Sequence, residues 1–260
     1  MNMPGGLICA QSGTLKTGWR KADISGADEL SLWEFCAGSN SRADIIDKLI
    51  DTHCIFEAQE QSAQNLCLAD RNSILAVLAC EIGAHFYWQV VTCPKCQKPS
   101  DIAIDLSALP VKSAADTFPY AEVTHEGEVI KLRVPSGVEQ REALTASKDV
   151  ETAIAALAGL CCESAPKAKL NKEVVSKINN AVQEVSPELP HEVLGQCAEC
   201  QEEIKAPIKI LPQLMKSLDN PLDDVHEIAA SYHWSEKDIL SMPVKRRQHY
   251  LLRIAADFGG

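Results

Sequence analysis

Two Cys-x-x-Cys pairs, Cys93/Cys96 and Cys197/Cys200, constrain this chain more than any other feature of its sequence. A tight knuckle turns two thiolates inward, and two knuckles together complete a tetrahedral sulfur shell around one Zn²⁺. Residues 97–196 stand between the pairs, so a shared site requires that whole stretch to leave the first knuckle and return to the second. Each pair sits in a strand, knuckle, strand setting. His85–Thr92 is aromatic and β-branched, and Ile102, Ile104 and Leu106 alternate after the first knuckle. His191–Gln196 precedes the second, with Ile204, Ile208 and Ile210 after it. A redox disulfide is the rival reading, but a redox Cys-x-x-Cys normally joins strand to helix. Pro94 favours the first turn, and Gln97 and Gln201 follow the two knuckles at the same position. The expected cofactor is therefore one structural zinc per chain on Cys93, Cys96, Cys197 and Cys200. With four protein ligands it has no open position for water or substrate.

The rest of the 260-residue chain is read as helical regions around these hairpins. The expected class is α+β, with helical N-terminal and C-terminal parts around a zinc-ribbon-like pair of β-hairpins and a helical insertion between them. Residues 1–27 read as a flexible segment and 28–84 as a helical region of three short helices. Residues 85–111 form the first knuckle hairpin and 112–190 a hairpin and helical insertion. The second knuckle hairpin spans 191–212, and the C-terminal helical region 213–260. Within the insertion, Glu126-Gly127 marks a hairpin turn and 164–169 a polar connector.

Net charge narrows the function. At −11, with a pI near 5.1, the chain lacks the basic footprint that phosphate-driven nucleic-acid binding needs. Its 11 cysteines are odd in number and come with no secretory signal, so Cys36, Cys54, Cys67, Cys80, Cys161 and Cys162 read as reduced, packed thiols. Ile74–Trp88, the most apolar stretch, is too short to span a bilayer as a helix. A soluble cytoplasmic chain with no membrane partner is expected. The seven histidines show no metal spacing, and the sequence has no Walker loop, nucleophile elbow or dinucleotide fingerprint, so no enzyme activity is expected. Lys245, Arg246 and Arg247 form the dense basic run. They are read as an outward helix face, either merely solvated or docking an acidic partner, with Tyr232, Trp234, Ile239, Leu251 and Ile254 turned inward.

The run His226–Leu251 contains Tyr232-His-Trp234-Ser, then a short segment, then Met242-Pro243-Val-Lys-Arg-Arg-Gln-His-Tyr250-Leu. It resembles the ending of the T-even-type baseplate hub assembly proteins of contractile-tailed phages and phage-tail-like contractile injection systems. The likeness extends back through Cys197-Ala-Glu-Cys200, Leu132-Arg-Val-Pro135-Ser-Gly137, Cys93-Pro-Lys-Cys96 and Leu32-Trp33-Glu34. It implies a non-enzymatic baseplate hub component or assembly chaperone, partnered by hub, spike or tube-initiator proteins. The alternative is a zinc-ribbon adaptor for nucleic acid or a transcription complex.

Overall fold

The computed structural model describes residues 7–9, 13–15, 18–39, 41–57, 61–163 and 170–258. It is a mixed α+β chain whose sheets are small, antiparallel and two-stranded. The elements run β1 (Leu7–Cys9), β2 (Gly13–Leu15), β3 (Trp19–Lys21), α1 (Gly26–Gly38), α2 (Arg42–His53), β4 (Cys54–Phe56), α3 (Leu68–Glu81), β5 (Phe86–Thr92) and β6 (Pro99–Asp105). There follow β7 (Tyr120–His125), β8 (Glu128–Arg133), α4 (Gly137–Ala146), α5 (Val150–Cys161), α6 (Lys172–Val185), β9 (Glu192–Gln196), β10 (Glu203–Pro207), α7 (Ile210–Lys216), α8 (Pro221–Tyr232), α9 (Glu236–Leu240) and α10 (Val244–Phe258). No described helix is long and apolar enough to cross a membrane. The flexible segment expected over 1–27 falls partly outside the described residues, and those that are described form β1, β2, β3 and the start of α1; the connector over 164–169 falls wholly outside them.

The chain divides into two compact units. One comprises Met1–Trp19 and Phe56–Leu214; the other comprises Arg20–Ile55 and Met215–Gly260. The helices expected together over 28–84 are therefore shared out, α1 and α2 in the second unit and α3 in the first. In the second unit Val225, Ile228, Ile239, Leu240, Met242 and Ile254 form a core on which Leu30 of α1 packs. Leu30 of α1 thus finds its cover on the C-terminal helices, while α1 also packs against α2, its neighbour in sequence.

In the first unit β7 and β8 lie under α5 and α6, burying Ile130, Leu132, Ala158, Cys161, Val174 and Ile178. Glu126 and Gly127 both take positive φ, 50° and 82°, the conformation that a two-residue hairpin turn demands. Beyond β6 the chain is pinned at Lys112, whose N–H and C=O both pair with Glu188 in an isolated antiparallel bridge.

The same helix-to-helix lock occurs once in each unit. In the first, Ser136 caps α4 in a reciprocal pair with Glu139, and Cys67 makes an isolated bridge to Ser136. Arg71, four residues after Cys67, is buried and donates to Gln140 Oε1 at 3.3 Å. In the second, Ser25 caps α1 in a reciprocal pair with Asp28, and Pro243 bridges Ser25. Arg247, four residues after Pro243, is buried on Glu29. Each arginine lies over a glycine, Gly137 or Gly26, where a Cβ would come within 2.7 Å or 2.3 Å of its Nη1. A larger residue at either position would displace the guanidinium from its place.

Candidate metal centre

The alternation of β5 and β6 brings Tyr87, Ile102 and Ile104 to one buried face of the first hairpin. Ile102 meets β9 so closely that a Cβ on Gly195 would lie 2.4 Å from its Cδ1. On the second hairpin, Ile204 is buried beside Cys93 and Cys197. Tyr87 Oη accepts the Lys209 N–H at 2.8 Å, tying the first hairpin to the chain leaving β10. These contacts bring the two knuckles together although residues 97–196 separate them.

The knuckles are built alike. Cys93 N–H donates to Lys98 C=O at 2.9 Å, and Cys197 N–H donates to Glu202 C=O at 2.8 Å. Gln97 and Gln201 N–H donate back to Cys93 and Cys197 C=O, both at 3.0 Å. Both glutamines are left-handed, φ 59° and 61°, which closes each turn behind its second cysteine. Across the knuckle tips, Lys95 Nζ and Glu202 Oε2 meet at 2.8 Å.

All four Sγ atoms lie within 4.8 Å of one another. The shortest approaches cross between knuckles: Cys93 to Cys200 and Cys96 to Cys197, each 3.6 Å. A disulfide needs about 2.05 Å, so neither pair is bonded. A tetrahedron with metal–sulfur bonds of about 2.3 Å has edges of roughly 3.8 Å, close to these approaches. Cys93 and Cys197 are fully buried, while Cys96 and Cys200 reach the surface.

Charge at the cluster is uneven. The Ser100 hydroxyl, followed by the Cys200 amide, draws the Cys197 thiol down to about 6. At Cys96 the Lys98 amide acts in the same sense, but burial and hydrogen bonds from the neighbouring thiols outweigh it and push the group up to about 12. Four adjacent sulfurs cannot all ionise against one another, and a soft divalent cation removes that conflict. Geometry and donor chemistry therefore both fit one metal ion.

Ser100 escapes a reading based on cysteine spacing alone. It is buried, accepts the Ala198 N–H at 3.4 Å and donates to Cys197 Sγ at 3.5 Å. Its signal was a hydroxyl on the inward side of the Ser100, Ile102, Ile104 alternation, where an apolar residue would be the default.

The basic run behaves differently from expectation. Lys245 and Arg246 are exposed, but Arg247 is 1% exposed and does not belong to an outward face. Its Nη2 meets Glu29, its Nε meets Asp224 at 3.2 Å, and its Nη1 donates to Met242 C=O at 3.1 Å. Two successive residues of a helix point about 100° apart, so a run of three cannot stay on one face when the helix is packed from two sides. Of the residues expected inward, Ile239 and Ile254 are buried and Tyr232 and Leu251 half-buried. Trp234 remains 37% exposed, stacked on Tyr232 with ring centroids 5.0 Å apart.

No known protein family, curated protein or solved structure matches this chain.

Proposed function

We propose that Cys93, Cys96, Cys197 and Cys200 hold one structural Zn²⁺ in a ribbon-like pair of hairpins. The chain carrying it would be a non-enzymatic baseplate hub component or assembly chaperone of a contractile phage tail or phage-tail-like injection system. The observation that carries the first half is the sulfur cluster, with its two 3.6 Å approaches running from knuckle to knuckle. Four thiolates fill a tetrahedral zinc, so the ion clamps the fold and activates no water. The baseplate half rests on the resemblance of His226–Leu251 and of the knuckles in their order. A closed metal site and an acidic surface support a scaffold that binds hub, spike or tube-initiator proteins in the cytoplasm of the producing cell. The nucleic-acid adaptor loses ground because Lys95, one of two lysines beside the first knuckle, is engaged by Glu202.

Co-purification from cells making the particle tests this reading. A stoichiometric presence in finished particles marks a hub component, and presence on partial assemblies alone marks a chaperone. Absence from both, with normal particles when the gene is removed, would end the baseplate reading while leaving the zinc site to be judged by metal analysis.

A further inference from the structure

The outward face of the β5–β6 hairpin is apolar where a solvent-facing strand is ordinarily polar. Phe86, Trp88 and Val90 alternate along β5 and are 51%, 63% and 66% exposed. Phe86 and Trp88 meet edge to face, with centroids 6.0 Å apart, so the two rings form one preformed apolar surface that Val90 extends along the strand. The opposite face of the hairpin is already spent on packing, through Tyr87, Ile102 and Ile104. Three large apolar side chains in one exposed row mark a site of association.

What frames the row identifies its occupant. Directly opposite residues of an antiparallel pair share a face, so the register places Asp105 beside Phe86, Ala103 beside Trp88 and Asp101 beside Val90. Ala103, the smallest side chain of the face, stands directly opposite Trp88, and a carboxylate stands to either side of it along β6. Asp105 is held ionised by the Ser107 hydroxyl and amide, which keep its carboxyl below the usual range. Neither strand puts a cation on this face, which consists of Phe86, Trp88, Val90, Thr92, Pro99, Asp101, Ala103 and Asp105. At about 3.4 Å per residue the two carboxylates lie roughly 13 Å apart along β6.

We propose that the Phe86–Trp88–Val90 face docks a segment of a partner protein in which an apolar side chain is flanked on both sides by Lys or Arg. The apolar residue packs over Ala103 against Trp88, and the two cations reach Asp101 and Asp105. Because the row leads directly into Cys93, the metal centre fixes the strand that presents it. This names the partner chemistry for the protein-binding function proposed above and rests on that reading. Its test is separate, since particle co-purification addresses the function and peptide selection addresses this face.

Selection of a random displayed peptide library on the full-length protein decides the matter, with Trp88→Thr and Asp101→Lys chains as counter-targets. The substituted positions are exposed, and unchanged metal content and melting temperature verify that both variants fold. Enriched peptides should carry the cation, apolar, cation pattern. Their affinity should fall at least about tenfold on Trp88→Thr, as expected at an aromatic anchor. On Asp101→Lys it should also fall, with weaker dependence on salt. Peptides without cationic enrichment, or equal binding to the wild-type and Trp88→Thr chains, would overturn the proposal. So would self-association of the protein through this face, seen as a dimer that Trp88→Thr converts to monomer.

Discussion

Ser100 donates from its hydroxyl to Cys197 Sγ at 3.5 Å, from one hairpin to a cysteine of the cluster on the other. The bond stabilises the thiolate form that a metal needs and fixes where that sulfur points. Ser100→Ala should keep the metal but weaken its affinity by about 10- to 100-fold, the usual effect of losing a group that orients a ligand. Competition against a chromophoric chelator measures this. Affinity equal to wild type would mean that the hydroxyl only fills space.

One zinc per chain is expected by elemental analysis, and Cys93→Ser and Cys197→Ser should each abolish it. One variant comes from each knuckle, so a shared ion makes their losses equivalent. A structural zinc contributes on the order of 10 kcal/mol, and both variants should therefore lose the hairpin pair as a folded element. Two zincs per chain, or metal retained by either variant, would show separate sites.

Arg247 and its neighbours should respond oppositely to truncation. Arg247→Ala leaves Glu29 and Asp224 facing each other with no cation between them, at a cost of about 3–5 kcal/mol. Burial already raises the Glu29 carboxyl, and Arg247 opposes that rise. Lys245→Ala and Arg246→Ala, at exposed positions, should stay within about 0.5 kcal/mol of wild type. Chemical denaturation of the three variants compares them directly.

Gly195→Ala should destabilise the first unit by about 1–3 kcal/mol, because the new methyl meets Ile102 Cδ1. Ile102→Val removes that carbon. The double variant should be more stable than the two separate losses predict, a coupling that a double-mutant cycle reads out. Simple additivity would place the close approach of the hairpins elsewhere.

Glu139 supplies a pH dependence. Burial pushes its carboxyl upward, but hydrogen bonds from the Ser136 hydroxyl and amide, with Arg133 nearby, leave it below the ordinary value. A depressed carboxylate stabilises the fold above its unfolded pKa, about 4.3, and that contribution disappears as pH falls through the folded value. Glu139→Gln should therefore be less stable than wild type at pH 7 by about 1 kcal/mol, and the gap should close below about pH 4. Melting curves of both chains across pH 7 to 3 give the difference. A gap that widens toward acid pH would reverse the sign.

The four-cysteine cluster was legible because two identical short spacings leave few alternatives, and strand patterning placed them at hairpin tips. Turn chemistry at Glu126-Gly127 was legible for the same reason, since it is local. Arg247 was not. A basic run looks solvated until a carboxylate from residue 29 is brought to it, and nothing near residue 247 announces that contact. The division into units was hidden likewise, because the apolar residues of α1 do not reveal which distant helices will cover them. Ser100 lay between these cases, marked by a local pattern whose purpose only the second hairpin supplies.

The two arginine locks differ in how far they reach along the chain, and this sets an order on biosynthesis. Arg71 and Gln140 are 69 positions apart, whereas Arg247 and Glu29 are 218 apart. Chains leave the ribosome N-terminus first, and domains fold as their parts become available. The lock of the first unit has both halves once α4 has emerged. Gly26 and Glu29, made earlier, must wait for almost the entire polypeptide before Arg247 arrives. A nascent chain halted after α7 therefore has all four cysteines of the cluster and a complete first lock, while α1 still lacks its arginine.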